Sequence, residues 1–283
     1  MTTKQLREAL NYTSQKTGFS SSLIEKDYYC SLILKLLYEE ENLKNYLIFK
    51  GGTLLAKGYF EFFRMSEDLD FSVENSFCKE RNNRRKIASY LRTTVPQILE
   101  KLNLRELSAF RGFNESTQYN GIFGYDSLVG PSETIKFEVG FRGDLFSQPE
   151  KVNLETLLED PFSRDKVIKP FPVMALSKNE TYAEKFRAAL TRKSPAIRDF
   201  FDIEKILESG FNIFEESFIE LVKNKISFDS HANIDLTLEK RKILESQIIT
   251  DLRPVLKLNE DFNLEKTWSS IHDLTKILYA TEN

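Results

Sequence analysis

Two aspartates two residues apart, Asp68 and Asp70, have the type and spacing that metal chemistry requires. Apolar and polar side chains alternate over residues 68–73 as in a β-strand, so both carboxylates are expected on one face. Neighbouring carboxylates repel each other unless a cation lies between them, and their hard oxygen atoms suit Mg²⁺ or Mn²⁺. The spacing therefore predicts a metal site, with a solvated strand edge as the alternative interpretation.

A glycine turn precedes this pair. Gly51, Gly52 and Thr53 follow a short apolar run and precede a helix predicted over residues 54–63. Glycines permit positive φ and close approach of the backbone to a ligand, and the amides that open a helix, together with the Thr53 hydroxyl, suit phosphate oxygens. Only residues 54–67 separate the turn from the acidic pair, so both could contact one nucleotide. A purely structural turn is the alternative.

A third acid, Glu138, lies on the segment with the clearest alternation, residues 134–139. Two-metal phosphoryl chemistry uses such a set of carboxylates, which bridge cations that hold the attacking and leaving oxygens. An exposed Glu138 paired with Lys136 is the alternative.

Further candidates lie in the C-terminal half. Lys185 and Arg192 share one face of a predicted helix, and the Lys185 ammonium could neutralise phosphate oxygens. Asp199 and Asp202 lie at i and i+3 on the following predicted helix. The plain alternatives are a surface lysine paired with nearby acids, and an Asp202 paired with Arg198.

Residues 49–54 followed by residues 64–71 resemble motif I of the nucleotidyltransferase superfamily, and the chain is similar more specifically to the AbiEii/AbiGii toxin family of abortive-infection and toxin–antitoxin systems. The resemblance is carried by residues 25–28, 49–54, 64–71, 180–188 and 198–203, in that order. Thr53 departs from the family, in which Ser is common, and the spacer before Asp68 is slightly long. Neither departure removes a hydroxyl or a carboxylate.

The resemblance implies a metal-dependent nucleotidyltransferase toxin that transfers a nucleotide from an NTP to an acceptor hydroxyl, expected to be the 3′ end of tRNA, which would block translation. The implied catalytic residues are Asp68, Asp70, Lys185 and Asp199; the nucleotide-binding residues are Lys50, Gly51, Gly52, Thr53, Ser66 and Lys185; the metal ligands are Asp68, Asp70 and Glu138; and Asp202 and Arg192 are supporting candidates. Mg²⁺ or Mn²⁺ is the implied cofactor, and a cognate antitoxin is an expected partner, with direct contact left open.

The order of predicted elements indicates an α+β protein with a mixed-sheet domain of the nucleotidyltransferase type, flanked by helices and followed by a helical domain. We predict domains at 1–160 and 161–283, with the second contributing Lys185 and Asp199 to the active-site cleft. Locally, we expect a helix capped by the serines at 20–22, with Glu25 completing a capping box three residues after Ser22. We also expect a helix over 80–107 broken or kinked at Pro96, strands and turns over 105–146, and a helix capped by Ser177.

Composition restricts the other classes. The 283 residues carry 40 Lys+Arg against 43 Asp+Glu, which excludes a strongly basic nucleic-acid-binding chain. Two cysteines and two histidines supply neither a disulfide framework nor a zinc site. No signal peptide or membrane segment is predicted, so we expect a cytoplasmic protein. A DxD glycosyltransferase and a non-catalytic RNA- or protein-binding module remain the alternative functions.

Overall fold

The computed structural model describes residues 1–113 and 117–280. The chain forms two compact units, Met1–Leu176 and Ser177–Asn283. Residues 114–116 of the predicted strand region and residues 281–283 of the predicted helical domain lie outside the described residues. Residues 161–176, which the sequence assigns to the second domain, lie in the first unit, because the strand at 171–175 pairs with the central sheet.

The helices of the first unit are α1 (Thr3–Thr17), α2 (Ser21–Glu39), α3 (Leu43–Tyr46), α4 (Gly51–Leu54), α5 (Asn75–Cys78) and α6 (Arg81–Glu100). Its strands are β1 (Leu47–Lys50), β2 (Asp68–Val73), β3 (Arg105–Phe113), β4 (Gln118–Tyr125), β5 (Glu133–Gly140), β6 (Glu150–Leu154) and β7 (Phe171–Ala175). Within the described ranges these strands form one seven-stranded sheet in the order β3-β4-β5-β2-β1-β7-β6. The sheet is mixed, since β2 runs parallel to β5 and β1 parallel to β7. The predicted α+β class and mixed sheet are therefore confirmed.

Strict alternation gives the sheet one apolar face. Leu69 and Phe71 of β2 and Phe137 of β5 are fully buried in a core that also receives residues of α2 and α6. Asp68 and Asp70, which alternate with Leu69 and Phe71 along β2, therefore lie on the opposite face of the sheet. Burial of the apolar face fixes the strand register, because a shift by one residue would place the acids in the core.

Several local predictions need correction. Ser20, the first of the three predicted capping serines, caps α2, but Glu25 does not complete a capping box: its carboxylate accepts a hydrogen bond from the Leu128 amide. Helix α6 runs through Pro96 and ends at Glu100. The proline removes one backbone hydrogen bond, but burial of the side chains on either side of it outweighs this loss. After the helix, Asn103 adopts a left-handed conformation and turns the chain into β3.

The helix predicted over 54–63 begins earlier, at Gly51, and continues as a π-helical turn to Tyr59. It ends there because Glu61 and Phe62 adopt positive φ.

The second unit consists of α7 (Lys178–Thr191), α8 (Ile197–Glu208), α9 (Glu216–Ser227), α10 (Leu238–Gln247) and α11 (Leu264–Ala280). Ser177 caps α7 as predicted, with its hydroxyl accepting a hydrogen bond from the Glu180 amide at 3.3 Å. Over the described part of the chain, none of the helices combines the length and the apolar character needed to cross a bilayer.

Candidate active site

The glycine turn lies directly against the acidic strand. Gly51 has φ +83°, and a Cβ at this position would overlap the Asp70 carboxylate. A Cβ at Gly52 would lie 2.6 Å from Nη2 of Arg64 and 3.0 Å from Oγ of Ser66. Both glycines are therefore required by close approach: the first by a carboxylate, and the second by a cation and a hydroxyl.

Thr53 ties this turn to β2. Its hydroxyl donates a hydrogen bond to the Asp68 carbonyl at 2.6 Å and lies 3.0 Å from the Ser66 hydroxyl. The side chain is only 2% exposed. In this structure the threonine hydroxyl thus holds the turn against the strand that carries the acids.

Asp68 and Asp70 lie on the same face of β2, as the alternation predicts. The strand register places Asp70 opposite Lys50 on one side and Glu138 on the other. Burial, followed by the neighbouring charges of Glu138 and Asp68, raises the pKa of Asp70 to about 6. The site therefore disfavours a second negative charge unless a cation is bound.

Glu138 takes the position that the sequence predicts, but its carboxylate contacts a lysine. Lys136, two residues earlier on β5, lies 3.0 Å from it. Within the described residues, three or more His, Cys, Asp or Glu side chains do not come together as a metal-binding group. Asp68 and Asp70 fit Mg²⁺ nonetheless, since this ion is commonly held by one or two carboxylates together with substrate phosphates.

Lys50 occupies the end of β1 next to Asp70. Its ammonium lies 3.6 Å from the Asp144 carboxylate, which also accepts a hydrogen bond from Ser72 at 3.0 Å. Lys50 lowers the pKa of Asp70, although burial and the neighbouring acids outweigh this effect. The ion pair with Asp144 therefore holds the Lys50 ammonium near the glycine turn, which begins at the next residue.

In the second unit, Lys185 is surrounded by acids. Its ammonium lies 3.0 Å from Asp199 and 2.8 Å from Asp202, and Arg192 lies 3.3 Å from Asp199. All four residues that the sequence singles out in this half thus form one cluster. Arg198 instead donates to the Asp251 carbonyl, because Asp202 is fully buried against Lys185.

Residues 35–268 match the sequence pattern of the family described as "Nucleotidyl transferase AbiEii toxin, Type IV TA system". The chain belongs to this AbiEii family. A search of curated protein sequences gives no significant match. Among solved structures, the chain is similar to MenT4, a nucleotidyltransferase toxin from Mycobacterium tuberculosis H37Rv, with a TM-score of 0.51 and 16% identity over 98% of this chain and 99% of the other. The protein is thus a nucleotidyltransferase toxin of a toxin–antitoxin family, with the fold shared by MenT4.

Beyond the predicted set, three consecutive charged residues of α2 contact segments that carry or adjoin the candidate site residues. Lys26, only 8% exposed, lies 2.8 Å from Glu67 and 3.1 Å from Glu133. Glu67 immediately precedes Asp68, and Glu133 opens β5. Burial alone would lower the pKa of Lys26, but the two carboxylates outweigh it and raise the pKa. This lysine therefore joins the beginnings of the two strands that carry the acids.

The residues on either side of Lys26 anchor the same helix. Glu25 accepts hydrogen bonds from the Ser127 hydroxyl and the Leu128 amide in the β4–β5 turn. Asp27 pairs with buried Lys57, which lies in the turn that continues α4. The sequence alone leaves the role of this segment open, since its partners lie far away along the chain.

Arg64 is a second residue that spacing did not single out. It is 2% exposed, and its guanidinium packs against Gly52. A buried arginine next to a glycine turn places a fixed positive charge beside the backbone of that turn. Its position at the start of the segment 64–71 was the available signal.

Proposed function

We propose that this AbiEii-family enzyme transfers a nucleotide from an NTP to the 3′ hydroxyl of an RNA, with tRNA as the expected acceptor and arrest of translation as the consequence. The proposal assigns Mg²⁺, or Mn²⁺, to Asp68 and Asp70. The observation that carries it is the environment of Asp70: burial, and then the neighbouring charges of Glu138 and Asp68, raise the pKa of this carboxyl group and favour a bound cation.

In the proposed reaction the acceptor hydroxyl oxygen attacks the α-phosphorus. A new oxygen–phosphorus bond forms, the bond between the α-phosphorus and the bridging oxygen of the β-phosphate breaks, and pyrophosphate leaves with that electron pair. The hydroxyl proton is released to water. Mg²⁺ held by the acids would supply charge neutralisation and alignment of the phosphate oxygens.

The remaining roles follow from the contacts. Gly51 and Gly52 allow the turn to lie directly against Asp70 and Arg64. We assign Arg64 and Lys50 to the supply of positive charge for a triphosphate at this turn. We assign Lys185 to stabilisation of the triphosphate, with Asp199 and Asp202 holding its ammonium in place and Arg192 paired with Asp199. Glu138 is assigned to the acidic set through its register with Asp70, and its ion pair with Lys136 would have to open for it to bind a metal.

The cellular setting also follows from the family. A cognate antitoxin is expected for a type IV toxin–antitoxin protein, and we place the enzyme in the cytoplasm, where NTPs and tRNA occur. The DxD glycosyltransferase and the non-catalytic module are set aside, because the family match assigns nucleotidyl transfer to this chain.

The test is incubation of the purified protein with Mg²⁺, total tRNA and each α-labelled NTP separately, beside Asp70→Asn. Label in RNA with the wild type alone supports the proposal and identifies the nucleotide. Label on the protein, or in an added protein acceptor, contradicts the RNA part. Equal labelling by Asp70→Asn contradicts the assignment of the site.

A further inference from the structure

The face of the sheet that carries the acids continues beyond them across two more strands. Directly paired residues lie on the same face, so the register defines a row that crosses five strands. The row contains Lys50 (β1), Asp70 (β2), Glu138 (β5), Asn120 (β4) and Arg111 (β3). Arg111 therefore lies three strands from Asp70, which corresponds to about 14 Å at the usual strand spacing of about 4.8 Å.

A second row runs beside the first. It places Phe113 next to Gln118, followed by Gly140 and Ser72. Phe113 is 40% exposed, and the Arg111 guanidinium lies over its ring at 5.4 Å from the centroid. Gly140 presents no side chain on this face, and the Lys50 ammonium and the Ser72 hydroxyl each lie 3.9 Å from the position that its Cβ would take. The second row therefore leads from the aromatic residue to the lysine next to Asp70.

The chemistry of the outer strands differs from that around Asp70. β4 contains no Asp or Glu, and its residues on this face are the half-buried amides Gln118 and Asn120 and the partly exposed Ile122. Arg142 donates to the Gln118 side chain at 3.3 Å, and Gln118 in turn donates to the Asn120 side chain at 3.4 Å, so a second guanidinium joins this row of amides. Away from the metal-binding acids, this face is therefore basic, aromatic and rich in amide groups.

We infer that this outer face, formed by Arg111, Phe113, Gln118, Asn120 and Arg142, binds the single-stranded 3′ end of the acceptor RNA upstream of its reacting hydroxyl. The inference rests on the proposed function and specifies a binding surface for it. Two guanidinium groups complement the phosphates, an exposed ring next to an arginine offers a stacking surface for bases, and the amides can pair with base edges. The strand register makes this surface continuous with the acids at which the RNA would end.

The experiment measures steady-state transfer from the NTP to an RNA with a single-stranded 3′ end, at varied RNA and at varied NTP. The variants are Arg111→Ala and Phe113→Ala, with Arg105→Ala as the matched control. Arg105 lies on the same strand and is exposed, but it pairs with Asp126 at the other end of β3. Because Arg111 and Phe113 are exposed, both variants are expected to fold, which thermal unfolding checks.

We expect each of the two variants to raise the KM for RNA about tenfold, which is the effect of losing one stacked base or one arginine contact. The KM for NTP and the kcat at saturating RNA should stay unchanged, as should all parameters of Arg105→Ala. Phe113→Trp should retain the wild-type KM for RNA, and its fluorescence should be quenched by added RNA through stacking.

An unchanged KM for RNA in both variants, with wild-type transfer intact, would overturn the inference and leave the proposed function standing. Wild-type protein that labels a protein acceptor and no RNA would overturn the proposed acceptor and the inference together. The two failures are therefore distinguishable.

Discussion

The Lys185 ammonium lies 3.0 Å from the Asp199 carboxylate, inside a cluster whose other acid, Asp202, is fully buried. Removing the lysine would take its cation away from the buried Asp202 carboxylate and leave Asp199 with Arg192. We expect Lys185→Met to lower the free energy of unfolding by about 3 kcal/mol, the usual cost of breaking a buried ion pair from one side. Urea unfolding measures this difference.

The triple variant Lys185→Met, Asp199→Asn, Asp202→Asn serves as the control, because it removes the charges together. It should recover most of the lost stability while remaining inactive, so the effects of Lys185 on folding and on catalysis are separated. A triple variant as unstable as the single one would show that the cluster does not act as an ion-pair unit.

The Gly51 turn offers a second prediction. Gly51→Ala places a methyl group against the Asp70 carboxylate at a positive φ, so we expect both a loss of stability and a loss of transfer activity. Gly210→Ala is a matched control, since Gly210 has φ +77° and no atom within 4 Å of its would-be Cβ. Backbone strain alone should cost the control about 1 kcal/mol.

The difference between the two variants therefore measures the contact with Asp70. Equal losses of stability in thermal unfolding, together with full activity of Gly51→Ala, would show that the close approach of this turn to the acid is unimportant.

Asp70 predicts a pH-dependent stability in the metal-free protein. Its pKa of about 6 lies above its ordinary value of 3.8, so ionisation of Asp70 destabilises the folded protein. This destabilisation is complete above pH 6 and absent below pH 3.8. We expect Asp70→Asn, in the presence of a chelator, to be more stable than the wild type by about 1–2 kcal/mol near pH 7.5. The gain should shrink as the pH falls through 6 towards 3.8. Urea unfolding at several pH values checks this, and a pH-independent difference would contradict the electrostatic cause.

Lys26 provides a fourth prediction. Because it joins Glu67 and Glu133 at the beginnings of β2 and β5, Lys26→Met should cost about 1–2 kcal/mol of stability and lower kcat by displacing Asp68. Lys44→Met is the control: its exposed pair with Glu41 should contribute less than about 0.5 kcal/mol. Activity of Lys26→Met equal to that of Lys44→Met would argue against a positioning role.

Local features of the site could be predicted from sequence because they depend on near neighbours. The alternation over β2 places Asp68 and Asp70 on one face, and the glycine pair marks the turn after β1. Likewise, the Ser177 cap depends only on the residue three positions later. Such patterns express backbone geometry directly.

Long-range features could not be predicted in the same way. The parallel pairing that sets Glu138 beside Asp70 depends on packing of the whole sheet, and Lys26 meets partners 41 and 107 residues away. A break of α6 at Pro96, one of the two predicted outcomes, does not occur, because tertiary burial on either side of the proline outweighs its local preference. Spacing along one chain contains no information about such contacts.

The central claim, nucleotidyl transfer at the site built around Gly51 and Asp70, is tested most directly by following both ends of the triphosphate. Wild-type protein, Asp70→Asn and the Gly210→Ala control would be incubated with Mg²⁺, total tRNA and NTP labelled at either the α- or the γ-phosphate. The account predicts α-label in RNA and γ-label in pyrophosphate for the wild type and the control, with both lowered at least about a hundredfold in Asp70→Asn. Transfer of the γ-label to an acceptor, or undiminished transfer by Asp70→Asn, would contradict it.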